Sequence, residues 1–524
     1  MAAVRQDSGA TLAGLTRRSP PKVSHLLAVD LRHKILTGEL AADQRLPPEA
    51  ELAAAFSVSR ETLREALRIL ESQSLLVIRH GRGGGPVVRR PGIDAVSRYV
   101  ALLLQLRRAT LAQLEEARAL VEPPAAEQFA VRATDGDLEL LVARHDTERG
   151  GAGDPLGFAA AVAAFDQSVT ELSGNRSLSV VAGAFREIHA GQVFQLIASV
   201  DAARAERFAR RVIVSHSAFL DAARRRDGDL ANRAWRDYLF TTSALAVSRD
   251  RRRALVDVTS LWRAQVGSAA GRRSPRRAAA VANEIRARIA EGKLAEGARL
   301  PPLPELAGEF DVSRPTLREA LRVLEMERLL DLAAGDRGGA KVLSPSTLTA
   351  ARLAGIALEG RGVTFADFYR AHRLVEPPIR QLAVERMSAR AVTALRRIEQ
   401  ELGSCVGDSA AFIDAWQRAD AVVFSQLRNP AITVIGEITR WVADEVERIA
   451  PSDVGARQWL DELYRHSLRF FHDFVEAAES RDGARARRVW TDYLDLNGPF
   501  FERSEIADRP LTGLVDGGAL ADRS

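Results

Sequence analysis

The chain has one cysteine, Cys405, among 524 residues. It can form no internal disulfide and offers no Cys pair for a zinc ribbon, which suits a reducing compartment, so a cytoplasmic location is expected. No segment approaches the roughly 18 uncharged apolar residues needed to cross a bilayer. The opening stretch MAAVRQDSGATLAGLTRRSPPK lacks an apolar core of signal-peptide length and reads as a polar tail. Lysine is also scarce: four of the 74 basic residues are lysine (Lys22, Lys34, Lys293 and Lys341). Catalytic signatures are missing as well. The run Gly81-Arg82-Gly83-Gly84-Gly85 lies between two apolar stretches, not before a helix, so it is no phosphate loop. No Ser-His-Asp arrangement stands out, Cys405 has no assigned base, and no enzyme activity is expected.

What is present is globular. The hydrophobic fraction is 46%, and the length suffices for three or four domains. The net charge is +5 and the isoelectric point near 9.7. That balance fits a polyanion partner, but it also fits an arginine- and alanine-biased genome, and charge alone does not choose.

The chain says the same thing twice. Leu46 to Glu71 reads LPPEAELAAAFSVSRETLREALRILE, and Leu300 to Glu325, 254 residues on, reads LPPLPELAGEFDVSRPTLREALRVLE, with 19 of 26 positions identical. Val121-Glu122-Pro123-Pro124 returns as Val375-Glu376-Pro377-Pro378, Asn175 as Asn429 and Arg186 as Arg440, all at that spacing. Trp235 and Tyr238 return as Trp490 and Tyr493, one residue out of step. Solenoid repeats run only to about 50 residues, so this is a duplicated multi-domain unit.

The chain divides into a tail (1–21), a small unit (22–91), a larger unit (93–262) and a polar linker (263–276). The small unit returns over 277–345 and the larger over 346–505, before a loose tail (506–524). The larger units show apolar residues at three and four spacing and read as all-helical bundles. Pro123-Pro124 and Pro377-Pro378 are expected to break or kink a helix, unless they sit in a first turn. Gly174-Asn175 and Arg428-Asn429-Pro430 look like helix ends.

In the first small unit a helix over 24–37 precedes a short one over 49–56. The turn Ser57-Val58-Ser59 leads into a third helix over 60–73 with Ser59 as its N-cap. Two apolar strands with a basic, glycine-rich tip follow. Together these make a winged helix-turn-helix. Leu63, Ala66, Leu67 and Leu70 face the core, leaving Arg60, Thr62, Arg64 and Arg68 outward. Arginine can pair with guanine in a major groove, threonine can touch phosphate or a thymine methyl, and Arg82 at the wing tip can reach phosphate or a minor groove. A lone Arg/Glu-rich helix is usually only a solvated face. Turn, wing and duplication together weigh against that here.

The runs GELAADQRLPPEAELAAAFSVSRETLREAL and GKLAEGARLPPLPELAGEFDVSRPTLREAL resemble the N-terminal domain of GntR-family transcriptional regulators. The resemblance implies binding of double-stranded DNA through Arg45, Arg60 and Arg64 in copy one and Arg299, Arg314 and Arg318 in copy two. Thr62 and Thr316 fall between the last two of each set. The second wing carries Asp336 beside Arg337, so weaker binding or a different half-site is expected there.

The larger units are similar to the all-helical FCD effector domain of the FadR subgroup. The residues carrying this are Arg118-x3-Glu122, Phe165-Asp166 leading to Gly174-Asn175, and Ser215-His216 leading to Trp235 and Tyr238. Many members hold a divalent metal through an Asp, a His four residues later and two further His. Those positions are here Val162, Asp166, His216 and Tyr238, and Trp416, Asp420, Phe471 and Tyr493. One imidazole and one carboxylate make a poor metal site, so no metal or other cofactor is expected. His216 then reads as a structural histidine, and Asp166–Tyr238 and Asp420–Tyr493 as hydrogen bonds in place of the metal. The alternative is an effector pocket drawing on Arg118, Asp166, Arg186, His216 and Tyr238, and on Trp416, Asp420, Arg440, Phe471 and Tyr493, for a small organic acid.

The family binds inverted repeats as homodimers, so one chain is expected to act as a fused pseudo-dimer or, alternatively, to dimerise. Repression is the commoner outcome in the family. The rivals are a constitutive or architectural DNA binder with decayed pockets and, further off, a metabolite-binding or catalytic helical protein.

Overall fold

The computed structural model describes residues 23–73, 75–79, 85–89, 92–197, 202–246, 253–257, 275–332, 340–406, 408–449, 455–503 and 507–511. The N-terminal tail, most of the C-terminal tail and of the linker, and both wing tips lie outside this set, as do Arg82 and Arg337. The described part of the C-terminal tail, 507–511, is not loose, since Leu511 is fully buried. The chain falls into two compact units, residues 1–90 and 91–524, each described by itself. The fold is mainly helical, with one small antiparallel strand pair in each winged helix-turn-helix domain.

The first unit is a winged helix-turn-helix. Its helices are α1 (Val23–Leu36), α2 (Glu49–Ala55) and α3 (Arg60–Ser72), followed by β1 (Leu76–Arg79) and β2 (Gly85–Val88). Ser59 caps α3 by accepting from the Thr62 amide, which satisfies one donor that the first turn leaves open. Ser57 in the preceding turn has φ +52°, which reverses the chain tightly between the helices. Leu63, Ala66, Leu67 and Leu70 are fully buried, so the period of α3 fixes which face is outward. The strands pair Leu76 with Val88 and Val77 with Val87, and Arg45 adds a bridge to Val87.

The second unit begins with the first of two helical bundles. Its helices are α4 (Asp94–Leu106), α5 (Leu111–Arg132), α6 (Asp135–Gly151), α7 (Pro155–Glu171), α8 (Arg176–Ile197), α9 (Ala202–Arg224) and α10 (Gly228–Ala246). A second winged helix-turn-helix follows, with α11 (Pro275–Ala290), α12 (Leu303–Glu309), α13 (Arg314–Met326), β3 (Leu330–Leu332) and β4 (Ala340–Val342). The second bundle has α14 (Thr347–Gly360), α15 (Phe365–Glu385), α16 (Ala389–Ser404), α17 (Ser409–Ser425), α18 (Pro430–Ile449), α19 (Gly455–Glu479) and α20 (Gly483–Arg503). Thr110 and Thr364 start α5 and α15 with capping boxes. Asn175 and Asn429 cap α8 and α18 through their side-chain oxygens. Each bundle is closed by a return strand: Val256 pairs back to Ala109, and Leu511 to Val363. Among the described residues no helix is long and apolar enough to cross a membrane.

The expected breaks at the paired prolines do not occur. Pro123-Pro124 and Pro377-Pro378 lie inside α5 and α15, which run through them. Proline loses an amide donor but keeps a helical φ. Pro123 and Pro124 are buried, as is Pro377, and burial against neighbouring helices outweighs the lost bonds.

The two bundles pack on each other with two-fold logic. In the 254-residue register α14 is the counterpart of α4, α15 of α5, and α18 of α8. Helix α4 packs on α14 and α5 on α15, while the pairs α4–α18 and α8–α14 exchange, as do α5–α18 and α8–α15. That is the pattern of an isologous dimer interface. The described polar contacts across it differ between the two sides. Arg107 reaches Glu437 at 3.0 Å and Thr347 at 2.7 Å, whereas its counterpart Arg361 reaches Ser179 at 2.9 Å. Arg386 pairs with Glu116, which also accepts from Asn429 at 2.8 Å.

Candidate functional site

In both heads the recognition helix presents the expected residues. Arg60, Arg64, Arg314 and Arg318 are exposed, as are Arg45 and Arg299 on the approach to each Leu-Pro turn. Thr62 and Thr316 are more enclosed, because each hydroxyl lies 2.8 Å from the capping serine. Arg64 is tied to Glu49 at 2.6 Å, an acid that copy two replaces with Leu303. A charged pair this exposed contributes under about 1 kcal/mol, so it holds the arginine loosely. An exposed row of arginines at the start of a helix behind a tight turn suits major-groove docking.

The first bundle holds a half-open cavity of about 260 Å³ between α5, α7, α8, α9 and α10. Of the expected pocket residues, Arg118, Asp166, Arg186 and Tyr238 line it. His216 sits behind the wall, fully buried and stacked on Phe165 at 4.0 Å between centroids.

Arg118 donates to both oxygens of Glu122, at 2.5 and 3.0 Å, and the Trp235 indole donates to the same carboxylate at 3.2 Å. The guanidinium also lies 2.6 Å from His189 Nδ1. A guanidinium only donates, so Nδ1 accepts and the ring proton sits on Nε2. Burial, then the Arg118 charge, hold His189 down to about 4. Its Nε2–H has no hydrogen-bond partner among the described residues.

The Tyr238 hydroxyl donates to Asp166 at 2.9 Å, the bond expected from the sequence. His216 lies between two carboxylates, with Nδ1 3.0 Å from Glu148 and Nε2 3.4 Å from Asp166. Burial favours its neutral form, but Glu148 and then Asp166 outweigh this and raise it to about 9. The buried ring is therefore a cation at neutral pH. Glu148 also pairs with His145 at 3.0 Å, and His145 Nε2 lies 2.9 Å from Ser217.

This set does not fit the four-ligand metal pattern of the family. Val162 and Tyr238 stand at two of the four positions, and Asp166 is engaged by Tyr238 and His216. His145, Glu148 and His216 each offer one ligand atom, all within 4.8 Å of one another. Glu148 already bridges the two rings, which makes the trio a closed hydrogen-bonded cluster.

The second bundle departs from the expectation. Asp420 does not bond Tyr493. It lies 2.5 Å from the Arg380 guanidinium and 3.5 Å from Arg440, while the Tyr493 hydroxyl sits 3.2 Å from Ser467. The reason is one residue: Arg380 stands where copy one has Ala126, and a buried guanidinium outbids a phenol for a carboxylate. Arg380 also meets Glu376 at 2.5 Å and lies 3.9 Å over the Trp490 ring. Trp416, in place of Val162, packs against Phe471 at 5.5 Å and Tyr493 at 5.8 Å. Sequence reasoning missed His189, Arg380, His145 and Glu148. The Ala126-to-Arg380 exchange was the one visible signal, since it introduces a charge at a helix position that is apolar in the other copy.

The family model described as "Bacterial regulatory proteins, gntR family" matches residues 26–84 and 277–342. That described as "FCD domain" matches 113–241 and 367–496. The HTH-type transcriptional repressor NanR of Cronobacter sakazakii is 30% identical over 229 residues, covering 43% of this chain and 85% of that protein. NanR of Citrobacter rodentium is 27% identical over 248 residues, covering 46% and 92%. Among solved structures, Streptococcus agalactiae GntR matches with 24% identity and a TM-score of 0.32, covering 42% of this chain and 97% of that one. Most of the length of each NanR relative spans under half of this chain, as duplication requires. The chain belongs to the GntR family of bacterial regulatory proteins, a DNA-binding transcriptional regulator that carries the family's head and its FCD domain twice.

Proposed function

We propose that the chain is a sequence-specific repressor acting as a covalent pseudo-dimer, with one chain supplying both half-site readers of an inverted-repeat operator. The observation that carries this is the interface between the two bundles, where counterpart helices pair and cross-pair as in a homodimer. Fusion replaces bimolecular association by an effective concentration in the millimolar range. The reading residues are Arg45, Arg60, Thr62 and Arg64 with Arg299, Arg314, Thr316 and Arg318, and Arg82 and Arg337 at the wings. Repression is inferred from the NanR relatives. The FCD halves sense rather than catalyse, the cavity of the first half takes a small organic effector, and neither half uses a metal. A cytoplasmic site of action fits a DNA-bound regulator.

Selection of bound sites from a random duplex library, run with sedimentation of the complex, tests this. Expected is a two-half-site motif in inverted orientation, bound by one chain, and lost when Arg60, Arg64, Arg314 and Arg318 are all changed to Ala. A single half-site, or two chains on each operator, overturns it.

A second reading, a constitutive binder with decayed pockets, is favoured by the filled core of the second bundle alone. The cavity in the first argues against it.

A further inference from the structure

The two heads share their reading residues but not the bonds that hold the reading helix. Arg60, Thr62, Arg64 and Arg68 of α3 return, position for position, as Arg314, Thr316, Arg318 and Arg322 of α13. The framework behind them differs.

In the second head Arg286 of α11 forks onto both oxygens of Glu327, the C-cap of α13, at 2.6 and 2.7 Å. Its third nitrogen goes to Asn283 at 2.5 Å. The pair is largely buried, at 13% and 20% exposure. A bidentate pair of planar groups fixes angle as well as distance. An acid at a helix C-terminus opposes the helix dipole, so Glu327 is unfavourable for α13 taken alone and is balanced by the fork. In the first head the same three places hold Arg32, Gln73 and Val29, and one Arg32 nitrogen lies 3.4 Å from the neutral Gln73 oxygen.

A second tie repeats the contrast. Arg288 joins Glu284 on its own helix to Glu309 on α12, at 3.2 and 2.5 Å, and lies 4.9 Å over the Phe310 ring. Its counterpart Lys34 also lies over a ring, Phe56 at 5.5 Å. Its ion pair is with Asp30 of the same helix at 3.2 Å, and Ala55 stands at the place of Glu309. The base of the second head is anchored as well, since the Ser346 amide donates to Tyr99 of the first bundle at 3.2 Å. The register mates of those two residues are Gly92 and Leu353, and leucine accepts no hydrogen bond through its side chain.

A reading helix that is already held loses less freedom on binding. We infer that the second head is the preorganised and tighter reader of its half-site, with Arg286 and Glu327 as positioning residues acting through α13, while the first head adds the weaker contact. The order is the reverse of that expected from Asp336 in the second wing. This rests on the reading that each head takes one half-site, and adds their rank and its cause.

The test is anisotropy titration of the full chain on duplexes carrying a single half-site. Two blinded chains are compared, Arg60→Ala with Arg64→Ala and Arg314→Ala with Arg318→Ala. The chain that reads through its second head is expected to bind about fivefold more tightly or better, the scale of one charge-assisted bond. In that chain Glu327→Gln, which installs the residue of the first head, should remove most of the margin. Exchanging the pair, Arg286→Glu with Glu327→Arg, should restore it. Gln73→Glu should tighten reading by the first head, a gain that loss of folding does not mimic. Circular dichroism melts of every variant separate positioning from stability: a merely structural pair shifts the melt and leaves affinity unchanged where the variant is folded. Equal affinity of the two blinded chains, tighter reading by the first head, or a folded Glu327→Gln chain with its affinity intact overturns the inference. Failure of the underlying reading registers differently, as two blinded chains that both bind like the unaltered one, and the inference then falls with it.

Discussion

Arg380 holds a guanidinium nitrogen 2.5 Å from Asp420 at the register position where the first copy has Ala126. The group is 1% exposed and shared with Glu376. Removing one partner of a buried ion cluster leaves the others uncompensated, at a cost of about 3–5 kcal/mol. Arg380→Ala is therefore expected to destabilise the second unit by that order in urea denaturation. Adding Asp420→Asn should return part of the loss. A double variant as unstable as the sum of the singles would show that Asp420 and Arg380 are not coupled.

Stability should peak near neutrality and fall on both sides. His216 is raised to about 9 in the fold against about 6.5 in an unfolded chain. Its contribution is complete below the lower value and is lost as pH rises through the higher. His189 is held down to about 4, so its contribution is complete above about 6.5 and is lost as pH falls toward the folded value. Each limb is on the order of 2–3 kcal/mol for groups this buried. Melting curves of His216→Gln should lack the alkaline limb, and those of His189→Gln the acidic one. An alkaline limb that survives in His216→Gln would mean another group titrates there.

Glu49 holds Arg64 at 2.6 Å, so under the proposed DNA reading it is a competitor for that arginine. Glu49→Ala is expected to tighten operator binding by up to about fivefold, the scale of an exposed ion pair. Arg64→Ala should cost about 1–3 kcal/mol and relax sequence preference at one position. Leu303 removes that competitor from copy two, so Leu303→Glu should weaken binding. Fluorescence anisotropy at two salt concentrations checks all three, and a change in salt slope alone would assign Arg64 to phosphate.

Chelation should leave the protein unchanged. Dialysis against EDTA is expected to shift the melting temperature by less than a degree and leave operator affinity as it was. A large drop, restored by zinc and abolished in His145→Ala, would place a metal among His145, Glu148 and His216.

Hydrogen bonds near the cavity wall and at the start of the second bundle form a candidate route from the proposed effector site to the second head. Glu187, next to Arg186 on α8, accepts from Ser97 on α4 at 2.7 Å. Two residues on, the Tyr99 hydroxyl accepts from the Ser346 amide at 3.2 Å, where the second head joins its bundle. Tyr99→Phe should leave ligand affinity intact and shrink the ligand's effect on operator binding by at least threefold. Coupling is reciprocal, so operator DNA should then also change ligand affinity less. Unchanged coupling would remove this contact from the path.

The heads were legible in the sequence because a turn, a cap and a helical period constrain each other locally. Ser59 and Leu63 stand where the pattern LPPEAELAAAFSVSRETLREAL puts them. The bundles were legible as helices, but the prolines of α5 and α15 were misread, since tertiary burial overrides a local breaker. The cavity was half legible. Asp166 and Tyr238 were paired correctly from their register, yet Asp420 was given to Tyr493, because the residue that takes it, Arg380, stands where the first copy has Ala126 and so has no counterpart to signal the exchange. His189 escaped notice because nothing local distinguishes a histidine inside a cavity from one on a core face.

Glu116 faces Arg386 across the bundle interface. Their register mates are Arg370 and Arg132. Were the second half to pair with another second half, Arg370 would meet Arg386, and like charges there are repulsive. Within this chain the two-fold mate of Glu116–Arg386 is the pair Arg370 and Arg132, so the charge match is made on one side of the axis only. Two second halves would set arginine against arginine on both sides. Divergence at a single register position thus makes the second half a poor partner for its own kind and leaves it to the half it is tethered to.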